Sequence, residues 1–282
     1  MSCAGLLSSI TLAKAGSLSL LGAGGSSGQA AWTPADLTVP PVLWLEAAAS
    51  NLFQSNVGSG ARPATDGDYV GFWQDKSANA FNLSSLADDT TRGQWYSNGG
   101  QPYVNFDGTS QFLRRLSDLG LYSSVNGYSV FVAVRGVAGQ TSKYLVQQRN
   151  GTEGGTIFAP IYTQTANYLG ILYRNSASLT VLQQTQLASD AFDGNDRVVG
   201  VTDDNTGASV IGYVDGSASA SKTYTRQTLT LDRFSLGASY STSPTSYFAA
   251  RIYGVLALNY VPDAGTRAKI NTWLGSLMGV SL

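Results

Sequence analysis

The sequence predicts an all-β domain made of many short strands joined by tight turns. Hydrophobic residues make up 43% of the 282 residues and aromatic residues 11%, which is enough to fill a core. Charged residues make up only 12%, while Gly, Ser and Thr are abundant, as is typical of short strands linked by turns. Short apolar runs bounded by Gly, Asn or Asp recur through the middle of the chain, at 144–149, 156–162, 168–174, 197–202 and 209–214.

The first 40 residues differ in composition from the rest. Residues 1–31 are small, apolar and rich in Gly and Ser, and three prolines in 32–41 favour an extended linker. A secretory signal is disfavoured, because no basic residue precedes the apolar stretch and Lys14 lies inside it. We therefore predict an arm and linker over 1–40 and a single domain over 41–282. The arm has too few large side chains to form a core alone, so we expect it to serve assembly by packing against a neighbouring subunit or its own domain. The residues that we expect it to bury are Leu6, Leu7, Ile10, Leu12, Leu18, Leu20 and Leu21.

Strand-like motifs follow one another from residue 41 onward. Residues 41–48 read PVLWLEAA, 70–80 read VGFWQDKSANA, 103–108 read YVNFDG and 128–135 read YSVFVAVR. Farther on, 212–216 read GYVDG, and Asp-Gly after an apolar run is a strong hairpin signal. These motifs predict successive strands, with a tight turn at the Asp-Gly pair.

The last part of the sequence predicts a long strand followed by a short helix. Residues 246–260 are rich in Tyr, Phe, Ile, Val and Leu, and Pro262 ends that run because it cannot donate to a ladder. Asp263 is a suitable N-cap for the helix. One face of the helix is apolar, formed by Ile270, Trp273, Leu274 and Leu277. We expect Trp273, and Trp44 of the opening motif, to lie in the core.

In this order, the motifs resemble those of laminin-G-like domains of the concanavalin A-like superfamily. The likeness extends over residues 41–277, and its closing segment matches at 250–255 and 258–260. Arg267 also matches, although the acidic residue that the family places before it is Thr266 here. The resemblance implies a jelly-roll sandwich of two antiparallel sheets with one short C-terminal helix.

Missing residue types exclude several kinds of catalysis. The sequence has no His, so a Ser-His-Asp triad and a His-ligated zinc site are impossible. A single cysteine, Cys3, excludes an internal disulfide framework. Glucanases of the superfamily that the motifs resemble use a Glu-x-Asp-x-x-Glu cluster, which the two glutamates, Glu46 and Glu153, cannot supply. We therefore predict a protein that is not an enzyme.

The charge of the chain also limits its partners. A net charge of −1 gives no electrostatic footprint for nucleic acid or an anionic membrane. No apolar run approaches the roughly 20 residues that a membrane-spanning helix needs. We predict neither a nucleic-acid nor a membrane partner.

Aromatic residues provide candidate surfaces for stacking on sugar rings. Trp95 and Tyr96 lie between Arg92-Gly93 and a Ser-Asn-Gly-Gly segment, which predicts an exposed loop. On the predicted middle strands, tyrosines recur at 144, 162, 168 and 173. Because Tyr is amphipathic and costs little entropy to order, such residues suit a glycan groove or a protein-binding surface. The predicted glycan-binding residues are Trp95, Tyr96, Tyr168 and Tyr173.

Aspartates are the candidate metal ligands. Relatives of the laminin-G and pentraxin type bind calcium through Asp and backbone oxygens, which would give Asp75 and Asp107 that role. We favour the alternative that both form turns by accepting hydrogen bonds from their own backbone. Asp203 and Asp204 lie in a denser polar segment, VTDDNTG, and are the better calcium candidates. No other cofactor is predicted.

The motifs and the arm together favour one functional hypothesis. Single domains with such L-W-L-[DE]-A and W-x-D-K-S motifs resemble those of tailed-bacteriophage virion proteins. The resemblance implies a non-catalytic structural protein of the virion, such as a head decoration, collar or tail-associated subunit. It would form a homo-oligomer and contact other virion proteins. The alternative is a lectin-like module that binds carbohydrate on a host surface, and a glycoside hydrolase is the least favoured hypothesis.

Overall fold

Strands are the predominant regular secondary structure of the described protein, as the sequence predicts. The computed structural model describes residues 31–282 except 124, 152–154, 176–179, 206–208 and 241, and it does not describe the side chains of 181, 184 and 185. The predicted assembly arm therefore lies outside the described residues. From Trp32 onward the chain forms one unit.

The described part has twenty-one strands, one α-helix and four short 3-10 helices. The strands are, in chain order, β1 Leu43–Glu46, β2 Leu52–Phe53, β3 Tyr69–Val70, β4 Phe72–Trp73, β5 Leu83–Ser84, β6 Gly93–Tyr96, β7 Tyr103–Asp107, β8 Leu113–Arg115, β9 Tyr128–Gly136, β10 Lys143–Arg149, β11 Ile157–Thr163, β12 Leu169–Arg174, β13 Thr180–Ala188, β14 Arg197–Asp203, β15 Ser209–Val214, β16 Ser217–Ala218, β17 Lys222–Thr223, β18 Arg233–Leu236, β19 Ser239–Tyr240, β20 Pro244–Thr245 and β21 Ala249–Leu258. The helices are α1 Ala264–Met278 and the 3-10 turns Pro34–Asp36, Ala49–Asn51, Asp89–Thr91 and Asn98–Gly100.

Two large antiparallel sheets form the sandwich. The ten-stranded sheet has the order β16-β15-β14-β9-β21-β7-β6-β3, with β1 also paired to β21 and β17 to β15. The nine-stranded sheet has the order β13-β12-β11-β10-β18-β8-β5-β4-β2, and β19 and β20 form a separate ribbon. The predicted two-sheet antiparallel sandwich with one C-terminal helix is confirmed.

The main core lies between the two large sheets. Strands of both sheets contribute to it, because alternate side chains of each strand face inward. Its largest buried residues include Trp73, Phe106, Phe158, Phe192, Phe234 and Phe248.

The closing strand and helix occupy the positions that the sequence predicts for them. Strand β21 pairs with β1, β7 and β9, so it lies in the middle of the ten-stranded sheet. The Asp263 carboxylate caps α1 by accepting a hydrogen bond from the backbone N–H of Thr266 at 2.8 Å. Trp273 of α1 is 7% exposed and meets the Trp44 ring edge-on, with centroids 6.3 Å apart. The prediction that both tryptophans are core residues is confirmed.

Asp75 is a buried turn residue. It is 4% exposed and accepts hydrogen bonds from the backbone N–H groups of Trp44 at 2.8 Å, Ser77 at 2.9 Å and Phe81 at 2.7 Å. The Ser77 hydroxyl donates to it as well, at 2.6 Å. Four donors within the protein thus satisfy the hydrogen-bonding capacity of the Asp75 carboxylate, as predicted for a residue that forms a turn.

Asp107 forms the other predicted turn. Its carboxylate accepts hydrogen bonds from the backbone N–H groups of residues 109–111 at 2.8–3.1 Å. Burial acts to raise the pKa of Asp107, but these hydrogen bonds and one from the Thr109 hydroxyl outweigh it and lower the pKa to about 2.

Within the described residues, no helix combines the length and apolar character needed to cross a membrane.

Candidate functional site

Trp95 does not lie in an exposed loop, so that prediction is wrong. It belongs to β6, is 7% exposed, and its indole N–H donates to the Ala47 carbonyl at 2.9 Å. Strand β6 pairs with β3 on one side and with β7 on the other. Because alternate residues of a strand face the same side, Gly93 and Trp95 both face the core. The Trp95 ring therefore has no face available for a sugar.

The predicted tyrosine groove is not a single surface either. Tyr173 is 0% exposed and stacks on Phe158 in the core, with centroids 5.0 Å apart. Tyr168 is half-buried in the turn that precedes β12. Tyr144 and Tyr162 meet on the outer face of the nine-stranded sheet, with centroids 4.7 Å apart.

The predicted calcium ligands have partners within the protein. The Asp203 side chain is fully buried and accepts from the Tyr224 hydroxyl at 2.5 Å and the Asn205 N–H at 3.1 Å. Burial raises the pKa of Asp203. Asp204 accepts from the Ser209 N–H at 3.1 Å. Among the described residues, no three His, Cys, Asp or Glu side chains form a group suited to a metal. Calcium at Asp203 and Asp204 stays a prediction.

Tyr96 points away from the core, and two neighbouring strands extend the surface that it begins. Tyr96 is directly opposite Tyr103 of β7, and their rings stack at 5.2 Å with an interplanar angle of 16°. The Tyr103 ring lies 5.5 Å from that of Tyr253 of β21. Three tyrosines thus form a row across β6, β7 and β21 on the outer face of the ten-stranded sheet.

A second row, mainly polar, lies beside the tyrosines. Its members are opposite one another on five neighbouring strands, so they share one face. In order from the β3 edge they are Tyr69, Gln94, Asn105, Arg251 and Arg135. We call the two rows together the tyrosine face.

The members of the tyrosine face differ in accessibility. Tyr103 and Tyr253 are 7% and 1% exposed and form its floor. Tyr96, Asn105 and Arg251 are half-buried, and Tyr69 at the edge is 42% exposed. The upper layer is therefore open to a ligand.

Two polar groups of this face have donors and acceptors to spare. Within the described part of the chain, neither the Asn105 amide nor the Arg251 guanidinium makes a hydrogen bond. The Arg251 guanidinium lies 5.0 Å from the Tyr103 ring centroid, as in a cation–π contact. Arg135, by contrast, is hydrogen-bonded and ion-paired to Asp196. Burial raises the pKa of the Tyr103 hydroxyl, and the Arg251 charge acts against that rise.

Chemically, this arrangement suits a ligand with both an apolar face and hydroxyl groups. Half-exposed Tyr rings can stack on the C–H face of a sugar ring, while an amide and a guanidinium bind hydroxyls. Sequence reasoning found Tyr96 but missed Tyr69, Asn105 and Arg251. A period of two in the sequence could have indicated Asn105 and Arg251, because each is two residues from a tyrosine of the same face, Tyr103 and Tyr253 respectively.

A pocket of about 390 Å³ with an aromatic residue in its lining lies between α1 and the β14–β15 hairpin. Tyr213 and Asn271 contribute to its walls. Most of its other polar groups are already bound within the protein, because Asp215 accepts from Arg197 and Arg267 donates to the Pro262 carbonyl. It offers fewer available hydrogen-bonding groups than the tyrosine face.

Comparisons with known proteins bear on the fold. Neither the protein-family models nor the curated proteins contain a match to this chain. Among solved structures, the binding domain of botulinum neurotoxin serotype G is similar over 84% of this chain and 51% of its own, with a TM-score of 0.54 and 14% identity. A likeness at this identity shows a shared sandwich fold.

Two sialidase structures are similar over smaller parts of the chain. The CBM40 domain of the Ruminococcus gnavus IT-sialidase, in a structure with α2,3-sialyllactose, matches 50% of this chain and 80% of its own, with 16% identity and a TM-score of 0.42. NanB sialidase from Streptococcus pneumoniae matches 50% of this chain at 13% identity, with a TM-score of 0.42. The match covers only 23% of the NanB chain.

Proposed function

We propose that this protein is a non-catalytic carbohydrate-binding module and that its glycan lies on the tyrosine face. The observation that carries the proposal is the pair of rows on one sheet face, with stacked Tyr96 and Tyr103 beside Asn105 and Arg251. Aromatic surface and unpaired hydrogen-bonding groups converge there, as they do in small-molecule sites.

Each residue has a distinct part in the proposed site. Tyr96 stacks on one sugar ring, and Tyr69 at the sheet edge stacks on a second. The Asn105 amide can both donate to and accept from sugar hydroxyls, whereas Arg251 only donates. The strands hold these groups in register, so little ordering is needed when the glycan binds.

The comparisons support the carbohydrate-binding hypothesis at the level of fold only. The neurotoxin structure is described as a binding domain, and its sandwich is similar to this one over most of this chain. A shared fold does not determine function, so the proposal rests on the residues of the tyrosine face. The alternative of a bacteriophage virion protein rests on motif resemblance, gains no support from these structures, and stays a prediction, as do virion location and oligomer formation.

A glycan array followed by calorimetry tests the proposal. We expect the wild-type protein to bind glycans, and we expect Tyr96→Ala and Asn105→Ala each to weaken binding about tenfold, through loss of stacking and of a hydrogen-bonding amide. Tyr168→Ala is the matched control, because it removes a half-buried tyrosine far from this face and should leave affinity unchanged. Circular dichroism verifies that each variant is folded. Absence of glycan binding, or loss of affinity in the control alone, would contradict the proposal.

A further inference from the structure

The pocket between α1 and the β14–β15 hairpin is lined by small residues on both sides. Gly216 and Ala218 line it after β15, and Ala264 and Ala268 line it one turn apart on α1. None of these residues has a side chain that could fill the space between helix and sheet. The pocket is open to solvent, because Ala264, Ala268 and Thr272 of its lining are exposed. Its volume of about 390 Å³ lies in the range of small-molecule sites.

The floor of this pocket is apolar and partly aromatic. Phe131 of β9, Val198 of β14 and Tyr213 of β15 form it, and each is at most 7% exposed. The ring centroids of Phe131 and Tyr213 lie 6.3 Å apart, with an angle of 48° between the planes. The Arg267 guanidinium lies 5.4 Å from the Tyr213 ring centroid. Such a floor favours a ligand with an apolar ring.

The side-chain charges around the pocket balance one another. The Asp215 carboxylate accepts hydrogen bonds from Arg197 Nη1 and the Val198 N–H, both at 2.8 Å. Arg197 is also ion-paired to Asp193, with 2.6 Å between Nη2 and Oδ2. Arg267 is the second cation, and it donates to a backbone carbonyl. Two carboxylates and two guanidinium groups leave no excess charge to offset the desolvation of an ionic ligand, so an uncharged ligand is favoured.

Asn271 is the polar side chain of the lining that has no partner. It is 9% exposed, and within the described part of the chain its amide makes no hydrogen bond. Gly216, with a φ of 81°, leaves the space beside this amide open, because a Cβ there would lie 3.4 Å from Asn271 Nδ2. A buried amide without a protein partner needs another one, since an unmade hydrogen bond destabilises the folded protein. The Asn271 amide offers a carbonyl acceptor and an N–H donor side by side.

We propose that this pocket binds a small uncharged ring compound with an amide edge, such as a carboxamide or a lactam. The edge would donate to and accept from the Asn271 amide in the two-bond manner in which asparagine pairs with the edge of adenine. The ring would lie against Phe131 and Tyr213. No residue of the tyrosine face lines the pocket, and the ligand differs from a sugar, so this site is independent of the proposed function.

An NMR titration of the ¹⁵N-labelled protein with small probes tests the proposal. Benzamide is the carboxamide probe and 2-pyridone the lactam probe. Benzoate is the comparison, because it has the shape of benzamide but carries a charge and lacks the N–H donor. We expect at least one amide probe to shift the signals of Asn271 and its neighbours saturably, with a Kd on the order of 1 mM for a compound of this size. Benzoate should bind at least fivefold more weakly.

Two pairs of variants locate the site. Asn271→Ala should weaken binding of the amide probe at least fivefold, whereas Asn259→Ala should change it less than twofold. Asn259 is an exposed asparagine directly after β21 and does not line the pocket. Ala268→Leu fills the pocket with a good helix former and should abolish binding. Lys269→Leu adds the same side chain at the next position, outside the pocket, and should leave binding intact.

Several results would overturn the proposal. These are no saturable shifts with either amide probe, benzoate binding as tightly as benzamide, or Asn271→Ala behaving like Asn259→Ala. Shifts that survive Ala268→Leu would place the probe elsewhere and have the same consequence. Circular dichroism verifies that each variant is folded. The proposed function is tested with glycans, so either proposal can fail without the other.

Discussion

Asp75 connects the opening strand of the sandwich to the segment that follows β4. Its oxygens accept from Trp44, Ser77 and Phe81, so one buried carboxylate satisfies donors from two separate parts of the chain. Asp107 makes a similar number of hydrogen bonds, but all to the turn that directly follows it, and it is exposed. The two aspartates thus share a turn geometry and differ in burial.

Replacing each aspartate by alanine should separate their contributions to stability. Asp75→Ala leaves several backbone N–H groups without an acceptor in a buried place, so we expect the free energy of unfolding to fall by about 3 kcal/mol. Asp107→Ala leaves donors that water can reach, and should cost about 1 kcal/mol. Urea unfolding of both variants measures the difference. Equal losses would show that burial is not what distinguishes them.

At the scale of elements, α1 covers part of the outer face of the ten-stranded sheet, and its buried residues belong to the same apolar cluster as Tyr103 and Tyr253. Ile270, Trp273 and Leu274 are buried against that sheet, as the apolar face of the helix predicts. The Asp263 cap and Gly279, whose φ is 74°, delimit the helix at its two ends. The helix is therefore held by its caps and by packing on β21 and its neighbours.

Trp273→Ala should be strongly destabilising. It empties a buried site against Trp44, so we expect the free energy of unfolding to fall by about 3–5 kcal/mol. Asp263→Ala serves as the comparison, because loss of an N-cap costs about 1 kcal/mol. Thermal or urea unfolding gives both values. A loss at Trp273 no larger than that at Asp263 would contradict the packing described for α1.

Local signals made some elements predictable from the sequence. The Asp215-Gly216 turn needs two consecutive positive φ angles, and the structure has 50° and 81° there. The stop at Pro262 and the cap at Asp263 are local in the same way. Each depends on residues that are neighbours in the chain, so the sequence alone is enough to predict it.

The strand that carries Trp95 and Tyr96 was not predictable by the same means. Gly and Ser on both sides of the pair indicate a loop, whereas pairing with β3 and β7 makes it a strand. The residues that form the tyrosine face could not be predicted from the sequence for the same reason. Asn105 and Arg251 are far apart in sequence and become neighbours only through the β7–β21 register.

At the scale of the whole molecule, each sheet has an outer face with its own chemistry. The ten-stranded sheet presents tyrosines beside an amide and an arginine, and the nine-stranded sheet presents a row of arginines, Arg149, Arg174 and Arg233, over apolar residues. The sandwich is a scaffold, and we expect function to depend on the residues that its outer faces present.

The most direct test is an NMR titration of the ¹⁵N-labelled protein with the tightest-binding uncharged glycan from the array. We expect the largest shifts of backbone amide signals at Tyr69, Tyr96, Asn105 and Arg251, which line the tyrosine face. Signals of β10–β12 and of the pocket around Asn271 should change little. Shifts concentrated in either of those regions, or no shifts at saturating glycan, would contradict the proposal that the glycan binds on the tyrosine face.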